Sequence, residues 1–330
     1  MAEVGMTFMV VPHTGRMIAP PSAECPQGKF ETYYPVTPAD FNGTGSLCFE
    51  QIGDLKSTGG TIGNIFRAAA KANLTGIHLG LMFAPAEHGF PSQQRNGTYA
   101  NWGDFQAQVA VHLNILFSAA EPIVPIAGFY AEIEFSNDAA WITDMPAFGK
   151  DYLGGIARTV SALPRPNYVW ASPYSIGNLT RYPTGFDSPQ TYADAMRSAF
   201  NAAGPGLHHV AMQDSMGAQG NSFQNASDFL GNMSSRVAAW ANVEIFESWP
   251  RDCQWSRSSP CPGRHPAPWS RIEKQMANEA AVLGGAAEAT LIAWEWYSCF
   301  SPNAGGDPGH KWPAEAKANY VAYAKYLHSK

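Results

Sequence analysis

The residues best equipped for chemistry in this chain are carboxylates at the ends of apolar runs. GFYAEIEFSN (Gly128–Asn137) carries Glu132 and Glu134, and ANVEIFESWP (Ala241–Pro250) carries Glu244 and Glu247. A third run, HHVAMQD, closes on Asp214. Two carboxylates facing one cleft are the minimum equipment for cutting a glycosidic bond. One protonates the leaving oxygen, and the other attacks the sugar or activates a water. In this reading Glu134 is the acid and Glu244 the nucleophile or base, with Glu247 and Asp214 as contenders for the second role. The competing reading is a structural network in which these acids meet arginine or buried tyrosines. Several acids gathered at one mouth are costly without a purpose, which favours chemistry.

The runs that must position these groups read as strands. They are Met6–Val11, Ile77–Met82, Ile126–Phe135, Tyr168–Ser172, His208–Gln213, Ala241–Phe246 and Thr290–Trp296. Helical patterns separate most of them, over Ile62–Ala72, Asp104–Ala120, Phe148–Leu163, Tyr192–Ala203, Ala226–Ala239 and Arg271–Ala286. This alternation predicts βα units around a parallel sheet. Connections from helix to strand are short, such as Pro164–Asn167 and Gly204–Gly206. Those from strand to helix are long and rich in aromatic and polar residues: Phe83–Gly103, Pro173–Gln190, Ser248–Ser270 and Cys299–Pro313. Such loops build the active face of a TIM-type (β/α)8 barrel, and the asymmetry favours a barrel over a doubly wound sheet. Seven strands are legible, not eight. The expectation is a single barrel domain over 1–330 whose first strand is missing or replaced by something irregular such as Phe30–Tyr34. Strand side chains alternate faces. Tyr130, Glu132 and Glu134 are therefore expected on one side, with Phe129, Ile133 and Phe135 on the other. Asn242 and Glu244 are expected to share a side, with Val243 and Ile245 facing the helices.

Composition narrows the partners. Charged residues are 15% of the 330, below the roughly 25% of an average domain. The net charge of -6 and pI near 5.8 exclude nucleic acid and anionic membrane as partners of choice. No apolar run has the length of a membrane span. Six sequons, at Asn42, Asn73, Asn96, Asn178, Asn225 and Asn232, together with five cysteines, predict a secreted glycoprotein with disulfides. The N-terminus MAEVGMTFMVV lacks a basic region and cleavage signature, so a leader is expected to have been removed or the start truncated. Cys253 with Cys261 is one candidate bridge and Cys25 with Cys48 another, leaving Cys299 as a thiol; the connectivity stays open. No C-x-x-C or H-E-x-x-H is present, so no metal or other cofactor is expected. His208 and His209 are adjacent and point apart on a strand. The glycine-rich TGGTIGN stretch follows no clear strand and has no Lys for a phosphate. MQDSMG lacks the first glycine of a nucleophile elbow.

The order of motifs resembles a known family. YYP (Tyr33–Pro35), IHLGL (Ile77–Leu81), GFYAEIE (Gly128–Glu134), WASPY (Trp170–Tyr174), MQDSMG (Met212–Gly217), WANVEIFE (Trp240–Glu247) and WEWYSCFSP (Trp294–Pro302) follow one another. This succession is similar to the domain-of-unknown-function family numbered four-four-three-four, glycoside-hydrolase-like TIM barrels, over roughly residues 4 to 303. The resemblance implies a barrel acting on carbohydrate. The family's G-W-Y-x-x-x-E falls on Gly128, Phe129, Tyr130 and Glu134, with Phe in place of Trp. Its S-P-Y falls on Ser172, Pro173 and Tyr174. Its Q-D-G-x-G falls on Gln213, Asp214, Ser215 and Gly217, with Ser in place of Gly. Its E-x-F-E falls on Glu244, Phe246 and Glu247. Ile133 stands where many barrel glycosidases carry the Asn of an Asn-Glu pair. Flat rings on the loops suit sugar faces, which brings in Trp102, Tyr174, Trp249, Trp255, Trp296 and Tyr297. His13 and His88 could each meet a hydroxyl. The candidate substrate-binding set is Glu132, Tyr130, His13, Tyr174, Gln213, Trp249, Glu295 and Trp296. The expected reaction is hydrolysis of a poly- or oligosaccharide, with a non-catalytic carbohydrate-binding barrel as the alternative and a metal-assisted hydrolase using Asp214 with a histidine as a third reading.

Overall fold

Strands need partners for every backbone N–H and C=O, and the seven apolar runs find them in one another. The computed structural model describes residues 8–12, 14–19, 22–24, 29–34, 48–51, 60–83, 98–118, 124–163, 168–180, 182–247, 265–285, 291–294, 299–300 and 312–328. The runs form β1 (Phe8–Val11), β2 (Gly76–Gly80), β3 (Ile126–Ala131), β4 (Val169–Ala171), β5 (Leu207–Gln213), β6 (Ala239–Glu244) and β7 (Leu291–Trp294). They are hydrogen-bonded in chain order. The pairs β1–β2, β2–β3, β3–β4, β5–β6 and β6–β7 are parallel. The helices are α1 (Gly60–Lys71), α2 (Thr98–Ser118), α3 (Ala139–Ala147), α4 (Gly154–Ser161), α5 (Pro189–Ala203), α6 (Phe223–Ser234), α7 (Trp269–Val282) and α8 (Pro313–His328). This is the α/β order of a TIM-type barrel, with seven of its strands among the described residues. None of the described helices is long and apolar enough to cross a membrane.

Phe30–Tyr34 does not stand in for the eighth strand. Lys29–Thr32 pairs antiparallel with Gly15–Ala19 and parallel with Cys48–Gln51, in a separate four-stranded sheet completed by Met82–Phe83. The reason is in its pattern. Phe30 and Thr32 are buried while Lys29 and Glu31 are half-buried, which suits a sheet covered on one face. By contrast β2 is buried at all five positions, as an interior parallel strand must be.

The chain divides into two compact units. The first comprises Met1–Ile133, Thr143–Ala171 and Arg197–His209. Here α1 buries Ile62, Phe66 and Ala69 while Asn64, Arg67 and Lys71 face water, the stripe expected of a surface helix. A π-helical turn at Phe148–Leu153 runs into α4, and both pack on α2. Glycine permits that approach. A Cβ on Gly103 would overlap the Asp151 carbonyl oxygen and lie 2.9 Å from that of Tyr152. Gly103→Ala is expected to destabilise the protein by about 1–3 kcal/mol. The check is a lower denaturant midpoint at unchanged m-value. His78, 2% exposed, accepts a 3.1 Å hydrogen bond from Trp170 Nε1. Burial, then the nearby His209, lowers its pKa to about 4, so it is a neutral core histidine at physiological pH.

The second unit comprises Glu134–Ile142, Ser172–Met196 and Val210–Lys330. Val243, Ile245, Phe246, Ala267, Ile272, Cys299 and Phe300 form its apolar cluster, with Trp269 and Tyr323 packed against it. Val243 and Ile245 thus lie on the helix side of β6. Cys299 is a buried thiol. Both bridges read from the sequence involve cysteines outside the described residues, namely Cys25, Cys253 and Cys261.

Candidate active site

The acids follow the C-terminal ends of the parallel strands, but the first run does not stay extended as far as its sequence pattern implies. β3 ends at Ala131, and the Ile133 N–H turns back onto the Ala131 carbonyl at 2.8 Å. The regular pleat therefore stops before Glu132. Tyr130 is buried in the first unit, stacked on Trp170 with ring centroids 4.5 Å apart. Glu132 lies in the same unit near Tyr152, whose phenol is raised by burial and then by that carboxylate. Glu134 opens the second unit and is exposed.

In that unit the exposed Glu134 is followed by buried residues. The Phe135 carbonyl accepts from the Tyr174 N–H at 3.0 Å and from the Tyr192 hydroxyl at 3.2 Å. Asn137, fully buried, donates to the carbonyls of Ile176 (3.1 Å) and Asp187 (2.8 Å) and accepts from the Ile176 N–H at 2.8 Å. Asn137→Ala would strand all three groups. It is expected to cost about 2 kcal/mol of stability, visible as a lower melting temperature, with the larger relative loss in any activity that depends on Glu134. Tyr174 sits beside Glu134. Burial raises its phenol, a Ser136 hydrogen bond opposes the rise, and the Glu134 and Asp138 carboxylates add to it. Its O–H therefore stays a donor at neutral pH.

Gln213 ends β5 and is committed to the backbone. Its Nε2 donates to the Ser172 carbonyl at 2.8 Å and its N–H to that of Pro173 at 2.9 Å. Asn242 donates to Ser172 Oγ at 2.8 Å, and Ser172 Oγ donates to the Ala211 carbonyl at 2.8 Å. These bonds place Asn242 opposite in direction to Val243, and Glu244 with it, as strand alternation requires.

Glu244 is 2% exposed and Asp214 3%. Glu244 Oε2 accepts the Ala218 N–H at 2.7 Å. Asp214 Oδ1 accepts the N–H of Met216 at 3.1 Å and of Glu244 at 3.3 Å, while Oδ2 accepts Gln275 Nε2. Burial raises the Asp214 carboxyl to about 6, against the pull of Gln275, the Met216 N–H, Arg271 and the Glu244 N–H. Glu247, 38% exposed at its side chain, lies 3.7 Å from His265 Nε2 and 4.0 Å from Arg271 Nε. His265 in turn meets the edge of Trp312 at 5.8 Å. Arg271 also caps the carbonyls of Glu244 (3.0 Å) and Phe246.

Arg271, Gln275 and Glu279 are not among the site residues read from the sequence, yet they shape this site. They recur every fourth residue on α7, so all three meet one surface. The signal was available: Gln275 and Glu279 fall on the same buried stripe as Ile272. Ser215 is a second case. Where the family pattern has Gly, it adopts φ 55°, the left-handed region that Gly enters freely. Its Oγ accepts the Ser175 N–H at 2.9 Å, which helps hold it there. His13, His88, Trp249, Trp255, Glu295, Trp296 and Tyr297 lie outside the described residues. Trp102 is buried against Phe30 and Phe105 in the first unit. Among the described residues no group of three or more His, Cys, Asp or Glu is placed to hold a metal ion.

No family model matches the chain, and no curated protein does. Solved structures do. A proposed α-L-fucosidase from Bacteroides thetaiotaomicron superposes with a TM-score of 0.65 at 17% identity, covering 100% of this chain and 84% of that one. A structure from a study of two fungal β-1,4-galactanases gives 0.45 at 12% identity over 84% of this chain and 86% of that one. A chitinase from Chromobacterium violaceum gives 0.47 at 9% identity over 100% and 95%. With the first of these the chain shares its fold.

Proposed function

We propose that this protein is a glycoside hydrolase acting on a poly- or oligosaccharide, with Glu134 as the acid and Glu244 as the nucleophile or base. The observation that carries the reading is the contrast between these two carboxylates within one unit. Glu134 stands exposed beside the Tyr174 hydroxyl, open to a leaving group. Glu244 ends β6, buried, with Oε2 fixed by a backbone N–H. Two carboxylates in unlike settings are what divided acid and base roles require. Glu247, between His265 and Arg271, is the contender for the second role. Both Asp214 oxygens are engaged by protein donors, which suits holding structure better than attacking substrate. Membership of the four-four-three-four family, secretion and glycosylation go with this reading, as does a substrate held by Tyr174 and the loop aromatics.

The test is reducing-end release by the wild-type protein across α- and β-linked polysaccharides and oligosaccharides. Release from at least one class is the expected result. Release that EDTA abolishes would move the chemistry to a metal. Binding to a glycan with no release from any would favour the non-catalytic barrel.

A further inference from the structure

The segment Asp214–Ala218 is tied to the end of β6 by backbone and side-chain bonds, and the last of them reaches the Glu244 carboxylate. The Asp214 N–H donates to the Asn242 carbonyl at 3.1 Å, fixing the start of the segment to β6. Asp214 Oδ1 then gathers two N–H groups, that of Met216 within the segment and that of Glu244 itself. The chain reverses at Ser215, and Asn221 closes the loop by donating to the carbonyls of Asp214 (3.2 Å) and Ser175 (3.3 Å). Gly217 passes so close to the chain at and just beyond the end of β6 that a Cβ would overlap the Phe246 carbonyl oxygen and lie 3.1 Å from Glu244 Oε2. Directly after it, Ala218 delivers its N–H to that oxygen. A backbone N–H can only donate, so it holds Oε2 as an acceptor.

We infer that Asp214 is a positioning residue: through the turn it organises, it fixes the carboxylate of Glu244 by way of the Ala218 N–H. This rests on the hydrolase reading for its consequence in turnover, but not for its geometry. The negative charge of Asp214 is not what the turn uses. Its Oδ1 is an acceptor that an asparagine oxygen can replace, with the Gln275 amide turned so that its Oε1 accepts from the new Nδ2–H where Oδ2 had accepted from Gln275 Nε2.

Two readouts separate the possibilities. In 15N-labelled protein the Ala218 amide proton is expected well downfield, and Glu244→Gln moves it upfield. Asp214→Ala should move it in the same direction, while Asp214→Asn leaves it near the wild-type position. On whichever glycan the wild type hydrolyses, Asp214→Ala should lower kcat at least tenfold with KM changed less than twofold, and Asp214→Asn should recover most of the loss. Gly217→Ala, which leaves Asp214 intact, should shift the same amide and move the acidic limb of kcat/KM to higher pH, since the turn then no longer favours the ionised carboxylate. An Ala218 amide that ignores Asp214→Ala and Gly217→Ala in folded protein overturns the proposal. Amide shifts as expected, in a protein that hydrolyses no glycan, sustain the clamp and sink only the hydrolase reading.

Discussion

Glu134→Gln is expected to lower kcat on a natural glycan by about 10²–10⁴, the usual worth of a positioned acid. The loss should shrink sharply on a dinitrophenyl glycoside, whose leaving group departs without a proton. Glu244→Gln should lose activity on both substrates, because the attack on the sugar, or on the water, is needed whatever leaves. The contrast follows from the two settings. Glu134 is exposed beside a phenol that remains protonated, where a leaving oxygen can reach it. Glu244 is held in the strand end by a 2.7 Å backbone hydrogen bond, the fixed geometry that an attacking group needs. Equal losses in Glu134→Gln on both substrates would take the acid role from it. Loss in Glu247→Gln with Glu244→Gln still active would place the attack between His265 and Arg271 instead.

Strand positions and the order of the acids were legible because parallel strands are apolar almost throughout and their loops are marked by glycine and proline. All seven runs pair where their composition placed them. What escaped was local. The third run was read as a strand as far as Phe135, but the regular strand ends at Ala131 and a tight turn follows. Helix α3 went unread because Pro146 interrupts it, and the π-helical turn that follows starts only two residues later. The small sheet of Gly15–Ala19, Lys29–Thr32, Cys48–Gln51 and Met82–Phe83 draws its strands from distant segments, and pieces of two to five residues carry little pattern of their own. The polar stripe of α7 went unread for another reason. Gln275 and Glu279 look like solvent-facing residues until β6 and the Asp214 turn are known to cover them.

That stripe leads to the second large effect. Glu279 is 1% exposed, and its pKa is raised from 4.5 to about 8, by burial first and then by Asp214, while a hydrogen bond from Asn278 acts the other way. Gln275 lies one turn before it on the buried stripe, and Arg271 a turn before that, its positive charge acting on Asp214. The folded state therefore keeps a proton on Glu279 that the unfolded chain releases. Between about 4.5 and about 8 the folded state binds more protons, so stability is fully present at the acid end of this window and falls as pH rises. The slope is roughly 1 kcal/mol per pH unit. Asp214, raised from 3.8 to about 6, adds a loss of the same sign over the lower part of the window. Glu279→Gln should abolish its own share. Urea unfolding is expected to show the variant near wild type at pH 5 and more stable by a few kcal/mol at pH 9. The site should feel this, because α7 also holds the Glu244 carbonyl through Arg271 and Gln275. As Glu279 ionises, the bonds that anchor the end of β6 loosen with the helix, and the variant should keep its activity further into alkali. A stability difference that stays constant from pH 5 to pH 9 would mean that Glu279 is already charged in the folded protein, with a partner strong enough to keep it so.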